Sequence, residues 1–384
     1  MPPTAAPTTA PPLRVGPIAL PTPVVLAPMA GITNAAFRRL CHRHGGGLFV
    51  SEMVNARGLV EGGEKSWQLA AFDADESPRS IQLYGTDPTV VGQAVRRLAG
   101  EGHVDHVDLN FGCPAPKVTR HGGGAAVPAR PRLFAAVVAA AVDAAGPVPV
   151  TVKMRLGLDD GRPTFLTAGR LAADAGAAAV ALHARTAEQR YSGRARWEAI
   201  GELVEAVSEV SDVPVLGNGD IWTGADAVQM MADTGCAGVV VGRACLGRPW
   251  FFAELDAALA GAPVPAEPDL GAVVGIALDH GRALVATDGE RRGVRRLRKH
   301  LGWYLTGFPV GPTVRRRLME VESMAELEDL LGALEPTTTL PAGVAARPRG
   351  TQAGPHAVVV PDGWLDAEAT APPDAAADAS VSGG

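Results

Sequence analysis

Only four of the 35 basic side chains in this sequence are lysines, and one of them, Lys153, stands in the apolar run Val152-Lys153-Met154-Arg155. A lysine among Val and Met is costly to bury unless it meets an anion or an electron-rich group. Gln82 lies in a similar run, Ile81-Gln82-Leu83, and its amide can both donate and accept. A third run breaks off in V-D-L-N-F-G-C-P-A-P-K-V, where Asn110 and Cys113 stand at the break. A thiol there could be a nucleophile, a general acid or packing. No protease or transferase signature surrounds it, and Gly112 and Pro114 fix its direction, which suits a proton donor held over a substrate base. Cys41, Cys236 and Cys245 lie in helical or Ala/Gly contexts and read as small core residues.

These residues need a scaffold, and the apolar runs supply one. Eight runs recur at 24–28, 48–53, 80–85, 106–112, 149–157, 178–185, 213–220 and 238–244, with Ala-rich amphipathic stretches such as 131–145 and 165–176 between them. The runs are continuous rather than alternating, as strands buried on both faces are. Repeated strand–helix alternation predicts parallel units, and eight of them predict an α/β fold of the (β/α)8 TIM barrel type. A doubly wound open sheet is the alternative, but no G-x-G-x-x-G follows the first run. Past Phe252 the strand signal ends and helical patterns follow, punctuated by Pro263, Pro265, Pro268 and Gly289. The expected organisation is a low-complexity tail over 1–12, a barrel over 13–252, a small all-helical domain over 253–334 and a second low-complexity tail over 335–384.

In such a barrel, chemistry collects where strands end. Here the runs end in Pro28-Met29-Ala30, His183-Ala184-Arg185, Asn218-Gly219-Asp220 and Gly242-Arg243. The last two loops occupy the usual phosphate position, where glycines admit a ligand and Arg243 can grip phosphate bidentately. A phosphate anchor, Lys153 and Gln82 on neighbouring strands, and room for a planar ring fit flavin mononucleotide (FMN). Lys153 would counter negative charge on the reduced ring.

Between Arg291 and Arg317 lie nine cations and no acid: Arg291, Arg292, Arg295, Arg296, Arg298, Lys299, Arg315, Arg316 and Arg317, with Trp303 and Tyr304 nearby. On a chain of net charge -6 this is a local patch that suits a nucleic-acid backbone. The first residues, MPPTAAPTTAPP, have neither the charge nor the apolar stretch of a secretory signal, and no run of about eighteen apolar residues appears. A cytoplasmic protein with free thiols, no metal site and no membrane association is expected, acting as a monomer with no protein partner inferred.

Taken in order, the segments LAPMAGITNAAFRRL, SEMV, IQLYG, VDLNFGCPAPKV, GGGAA, VKMRLG, HART, GNGDI and GRACLGRPW resemble the tRNA-dihydrouridine synthases, over residues 15–330 and towards the bacterial B-type branch. The resemblance implies an FMN barrel with a helical tRNA-binding domain, reducing particular uridines in tRNA to 5,6-dihydrouridine with NADPH (or NADH) as reductant. It implies that Pro28, Met29, Ala30, Gln82, Lys153, His183, Asn218, Gly219, Asp220, Gly242 and Arg243 hold the flavin. It also implies that Cys113 is the general acid, giving a proton to uridine C5 after hydride passes from flavin N5 to C6. Asn110 would lie beside flavin and substrate, with Arg155 and Arg185 facing the RNA. Many relatives read H-G-R-T where this chain has His183-Ala184-Arg185-Thr186, a change that leaves His and Arg in place. A flavin barrel acting on free pyrimidines or small enones is the rival enzyme reading, and it has no use for the arginine cluster. A catalytically silent RNA binder is the other.

Overall fold

A computed structural model describes residues 12–350 and 354–366. Its centre is a closed barrel of eight parallel strands. In chain order these are β1 (Val24–Leu26), β2 (Leu48–Asn55), β3 (Ser80–Tyr84), β4 (His106–Phe111), β5 (Val150–Arg155), β6 (Ala179–His183), β7 (Val215–Asn218) and β8 (Gly238–Val241). The ring closes where β8 pairs with β1, Val239 opposite Val24. Every strand coincides with one of the eight apolar runs, because strands covered by helices outside and side chains inside carry no polar stripe on the outer face.

The helices start where the sequence can cap them. Asp87 accepts from the Thr89 and Val90 amides at the head of Pro88–Gly100. Thr223 and Asp226 form a reciprocal capping box on Gly224–Thr234, and Gly235, at φ 69°, ends that helix. Outside the strands, Phe134, Val138, Leu203 and Phe252 belong to one continuous buried core.

Three features differ from the expected organisation. A hairpin of Leu13–Val15 and Ile18–Leu20 precedes the barrel and buries Leu13, Val15 and Leu20 against Val25, Leu48 and Ala179, closing the floor. The helix Phe251–Leu259 packs Leu255 and Leu259 into the barrel core, so it is the last barrel helix and the helical domain starts at Leu270. Within 335–350 and 354–366 the expected second tail packs on the protein: Val344, Arg349 and Trp364 are buried. The residues 1–11, 351–353 and 367–384 of the expected tails lie outside the described residues.

The helical domain comprises Leu270–Asp288, Glu290–Tyr304, Pro312–Glu320 and Met324–Gly332 around its own core of Val273, Leu297, Leu301 and Leu327. Leu270–Asp288 is apolar and long enough to cross a membrane, but Val273, Ala277 and Leu284 are buried in that core. The domain docks beside β1 and β2. Lys299 donates to the Gly31 carbonyl, Glu52 accepts from the Gly31 amide, and Arg296 lies 3.6 Å from the Glu52 carboxylate.

Candidate active site

Strand residues two apart face the same side, and in this barrel the inward set is polar towards the C-terminal mouth. Ser80 and Gln82 point inward from β3, His106, Asp108 and Asn110 from β4, and Thr151, Lys153 and Arg155 from β5. Their register, Gln82 opposite Asp108 and Asn110 opposite Lys153, stacks them into one network.

The Asp108 carboxylate lies at its centre. It accepts from Gln82 Nε2 at 2.7 Å and from Thr151 Oγ1 at 2.6 Å. Gln82 must therefore turn its Oε1 outward, where Asn110 Nδ2 donates to it at 2.8 Å. Asn110 in turn must present its Oδ1 to the next loop, and it accepts there from Gly112 N at 3.1 Å and Cys113 N at 2.9 Å. One carboxylate thus sets the orientation of two amides and fixes the backbone that carries the thiol. Below it, burial holds His106 down to about 3, so the ring is neutral. Thr151 uses its hydrogen on Asp108, so His106 Nε2 donates to Thr151 Oγ1 at 3.0 Å and its Nδ1 accepts from Ser80 at 2.7 Å. Asp108, Thr151, His106 and Ser80 were not among the expected site residues. Their signal was the period-two polar pattern inside runs that read as continuously apolar.

Above this layer opens a cavity of about 540 Å³, lined by residues from the barrel loops and by Trp303 of the helical domain. It gathers Pro28, Met29, Ala30, Gln82, Asn110, Cys113, Lys153, Arg155, His183, Asn218, Gly219, Asp220, Gly242 and Arg243, as well as Met53, Tyr191 and Trp222, which were not anticipated. Lys153 Nζ donates to Asn218 Oδ1 at 3.0 Å, and Asn218 Nδ2 is held on the Val240 carbonyl at 2.6 Å. Burial and then the Arg155 charge pull Lys153 down to about 8, while Asp108 opposes them. Burial raises Asp108 to about 6 against its hydrogen bonds and Lys153. His183 is kept neutral by burial and by the surrounding cations. Burial also pushes the Cys113 thiol up, opposed by the Ala115 amide, Arg155 and Lys117, so at neutral pH it carries its proton.

On the far rim, Arg243 opens a short 3-10 turn after β8, its guanidinium 4.4 Å from the Tyr191 ring centre and 4.9 Å from that of Trp222. Gly219, at φ 130°, keeps this wall thin: a Cβ there would lie 2.7 Å from that of Ala195.

Two arginines behave differently from expectation. Arg185 does not line the cavity. It is 1% exposed, grips Asp220 through NH2 at 2.8 and 2.7 Å, and donates to the Ser192 and Gly193 carbonyls. Asp220, at φ 52°, is held by this grip and by the Ala195 amide, so Arg185 braces the β7 loop. Arg155 reaches the cavity wall, and its Nε and Nη1 donate to the carbonyls of Gly112, Thr186 and Arg190, each at 2.9 Å.

The basic cluster also divides. Arg296 pairs with Asp288 at 2.6 Å, Arg298 and Arg315 donate to backbone carbonyls, and Lys299 holds Gly31. These four join elements together. Arg291, Arg292, Arg295, Arg316 and Arg317 are exposed and form the remaining charged face.

The fold and the mouth define an enzyme of the (β/α)8 barrel class, with a protonated thiol and a lysine sharing one cleft. Residues 25–338 match the family model described as Dihydrouridine synthase (Dus). The chain is 53% identical over 97% of its length to the "Probable tRNA-dihydrouridine synthase" of Mycobacterium tuberculosis (strain ATCC 25618 / H37Rv), covering 97% of that protein. The Mycobacterium leprae (strain TN) protein with the same description is 50% identical over 89% of this chain and 95% of its own. The "tRNA-dihydrouridine synthase B" of Pseudomonas aeruginosa is 41% identical over 77% of this chain and 88% of its own. The chain belongs to the dihydrouridine synthase family and is an oxidoreductase.

Proposed function

We propose that this chain reduces specific uridines in tRNA to 5,6-dihydrouridine, with FMN in the barrel mouth and NADPH (or NADH) as the source of electrons. The residues present fit such a group. The cavity is roomy, Gly219 and Gly242 bring backbone to its edge, Arg243 stands where a phosphate could be gripped, and Lys153 offers a half-buried cation to an electron-rich ring. When bound, FMN supplies the hydride that uridine C6 accepts.

The chain's own residues do the rest. Pro28, Met29 and Ala30 form one wall, and Gln82, Lys153, His183 and Asn218 offer polar contacts. Gly219, Asp220, Gly242 and Arg243 frame the phosphate end. Cys113 holds a proton at Sγ and delivers it to uridine C5, leaving a thiolate that Arg155 and Lys117 stabilise by charge. Asn110 keeps the thiol loop in register with the base. A uridine must leave its stack to reach the cavity, and Tyr191 and Trp303 offer aromatic surface at the entrance. The exposed arginines of the helical domain take the tRNA backbone by charge.

The observation that carries this reading is the oriented chain from Asp108 through Gln82 and Asn110 to the Cys113 amide, at the edge of the cleft that holds Lys153. A nucleic-acid binder without catalysis has no need to aim a protonated thiol. The first test is spectroscopic. The purified protein should show flavin absorption, or acquire it on adding FMN, and NADPH should bleach it. A protein that stays colourless in FMN overturns the proposal.

A further inference from the structure

Beyond the helical domain, residues 336–350 and 354–366 lie back over the barrel. Pro336 and Thr338 carbonyls accept from the Gly271 and Leu270 amides. Arg349, 4% exposed, then donates to the carbonyls of Leu246 at 3.1 Å and Trp303 at 2.9 Å, pinning the segment between the β8 loop and the helical domain. The neighbouring Gly350 forms part of the cavity wall. Further on, the His356 amide donates to the Glu188 carbonyl at 2.9 Å, on the loop after β6.

Trp364 reaches the loop that supports the thiol. Trp364 is 4% exposed and its Nε1 donates to the Ala126 carbonyl at 2.9 Å. The Arg130 guanidinium lies 4.5 Å from the centre of its ring. The indole rests so closely on Gly122 that a Cβ there would lie 2.4 Å from it. Two residues on, Gly124 at φ 55° approaches the Cys113 carbonyl to within what a Cβ would turn into a 2.6 Å contact, and the Ala125 amide donates to that carbonyl at 3.1 Å. Cys113 is thus held from both sides, by Asn110 on its amide and by the 122–126 loop on its carbonyl. The second support is itself clamped by the Trp364 indole, more than two hundred residues further along the chain.

We propose that residues 336–350 and 354–366 act as a strap, and that Trp364 is a positioning residue which holds the 122–126 loop, and through it Cys113, in place at the mouth. The catalytic half of this inference rests on the proposed role of Cys113 as proton donor; the mechanical half does not. Loss of the indole frees the loop, so the thiol samples more positions and more solvent.

The test compares full-length Trp364→Ala and Trp364→Phe with wild type. Alkylation of Cys113 by iodoacetamide reports the loop directly, because Cys41, Cys236 and Cys245 are buried. Trp364→Ala should raise that rate about tenfold through local opening, and Trp364→Phe, which keeps a ring on Gly122 but loses the Ala126 bond, should raise it by about threefold. In the same variants NADPH-driven flavin reduction should keep its rate while uridine reduction slows in parallel with the alkylation change. If Trp364→Ala does not fold, the Phe variant alone carries the comparison. Alkylation at the wild-type rate in a folded variant overturns the strap. An alkylation response in a protein whose wild type never reduces tRNA supports the strap and sinks the tRNA reading instead.

Discussion

Asn110 donates to Gln82 through a single hydrogen bond of 2.8 Å, and the direction of that bond is dictated by Asp108 one register lower. An ionised carboxylate can only accept, so the Gln82 amide has one permitted orientation, and Asn110 inherits it. The Cys113 amide is the last beneficiary.

Replacing Asp108 by Asn removes that dictate, since an amide can either donate or accept towards Gln82. Uridine reduction should fall about tenfold or more, the scale of losing an interaction worth roughly 1.4 kcal/mol in the transition state. Activity should also depend on pH in a bell. Asp108 loses its carboxylate as pH falls through about 6, and Lys153 loses its charge as pH rises through about 8. The Asn variant should lose the acidic limb and keep the alkaline one; an unchanged acidic limb would assign it to another group. The stability sign is opposite to that of a paired surface carboxylate. Between the ordinary 3.8 and about 6 the native state holds a proton that the unfolded chain has released, so stability falls as pH rises through that window. Melting curves of the Asn variant should lack this decline.

Arg185→Ala tests the reassigned arginine. Removing Arg185 strips Asp220 of its main partner, leaving it the Ala195 amide and Arg243, and frees two carbonyls, so unfolding free energy should drop by about 1–3 kcal/mol. Affinity of the remaining folded protein for tRNA should be unchanged. Weaker tRNA binding at unaltered stability would return Arg185 to the RNA face.

The eight barrel strands were legible because strands covered by helices on the outside carry dense apolar runs. Reading those runs as continuous hid the deeper inward polar residues His106 and Asp108, which with the anticipated Asn110 alternate with Val107 and Leu109. The chemistry at strand ends was legible as residue types, but Arg185 was not, because only the folded loop brings Asp220 within reach of it. The arginine cluster looked unopposed in sequence since Glu52, which faces Arg296, lies on a barrel strand over two hundred residues away. Three-residue strands carry no pattern, which hid the floor hairpin. Trp364 left one trace, a lone indole in a stretch of Pro, Ala and Asp.

The divided basic cluster predicts divided mutants. Arg292→Ala should lower the slope of log affinity against log salt by about one contact's worth, 0.7 to 0.9 units. Arg296→Ala should leave that slope alone and instead lower the melting temperature, because it breaks the pairs with Asp288 and Glu52. Equal salt slopes in both variants and wild type would place the tRNA elsewhere.

The most direct measurement is a single turnover. FMN-loaded protein, reduced with NADPH, is mixed with tRNA lacking dihydrouridine, and the modified base is quantified by mass spectrometry for wild type and Cys113→Ala. Wild type should convert uridine, while the Ala variant should bind flavin and tRNA normally yet react about a hundredfold to ten-thousandfold more slowly, the usual worth of a general acid. Conversion by Cys113→Ala at the wild-type rate would contradict the assignment of the proton to that thiol.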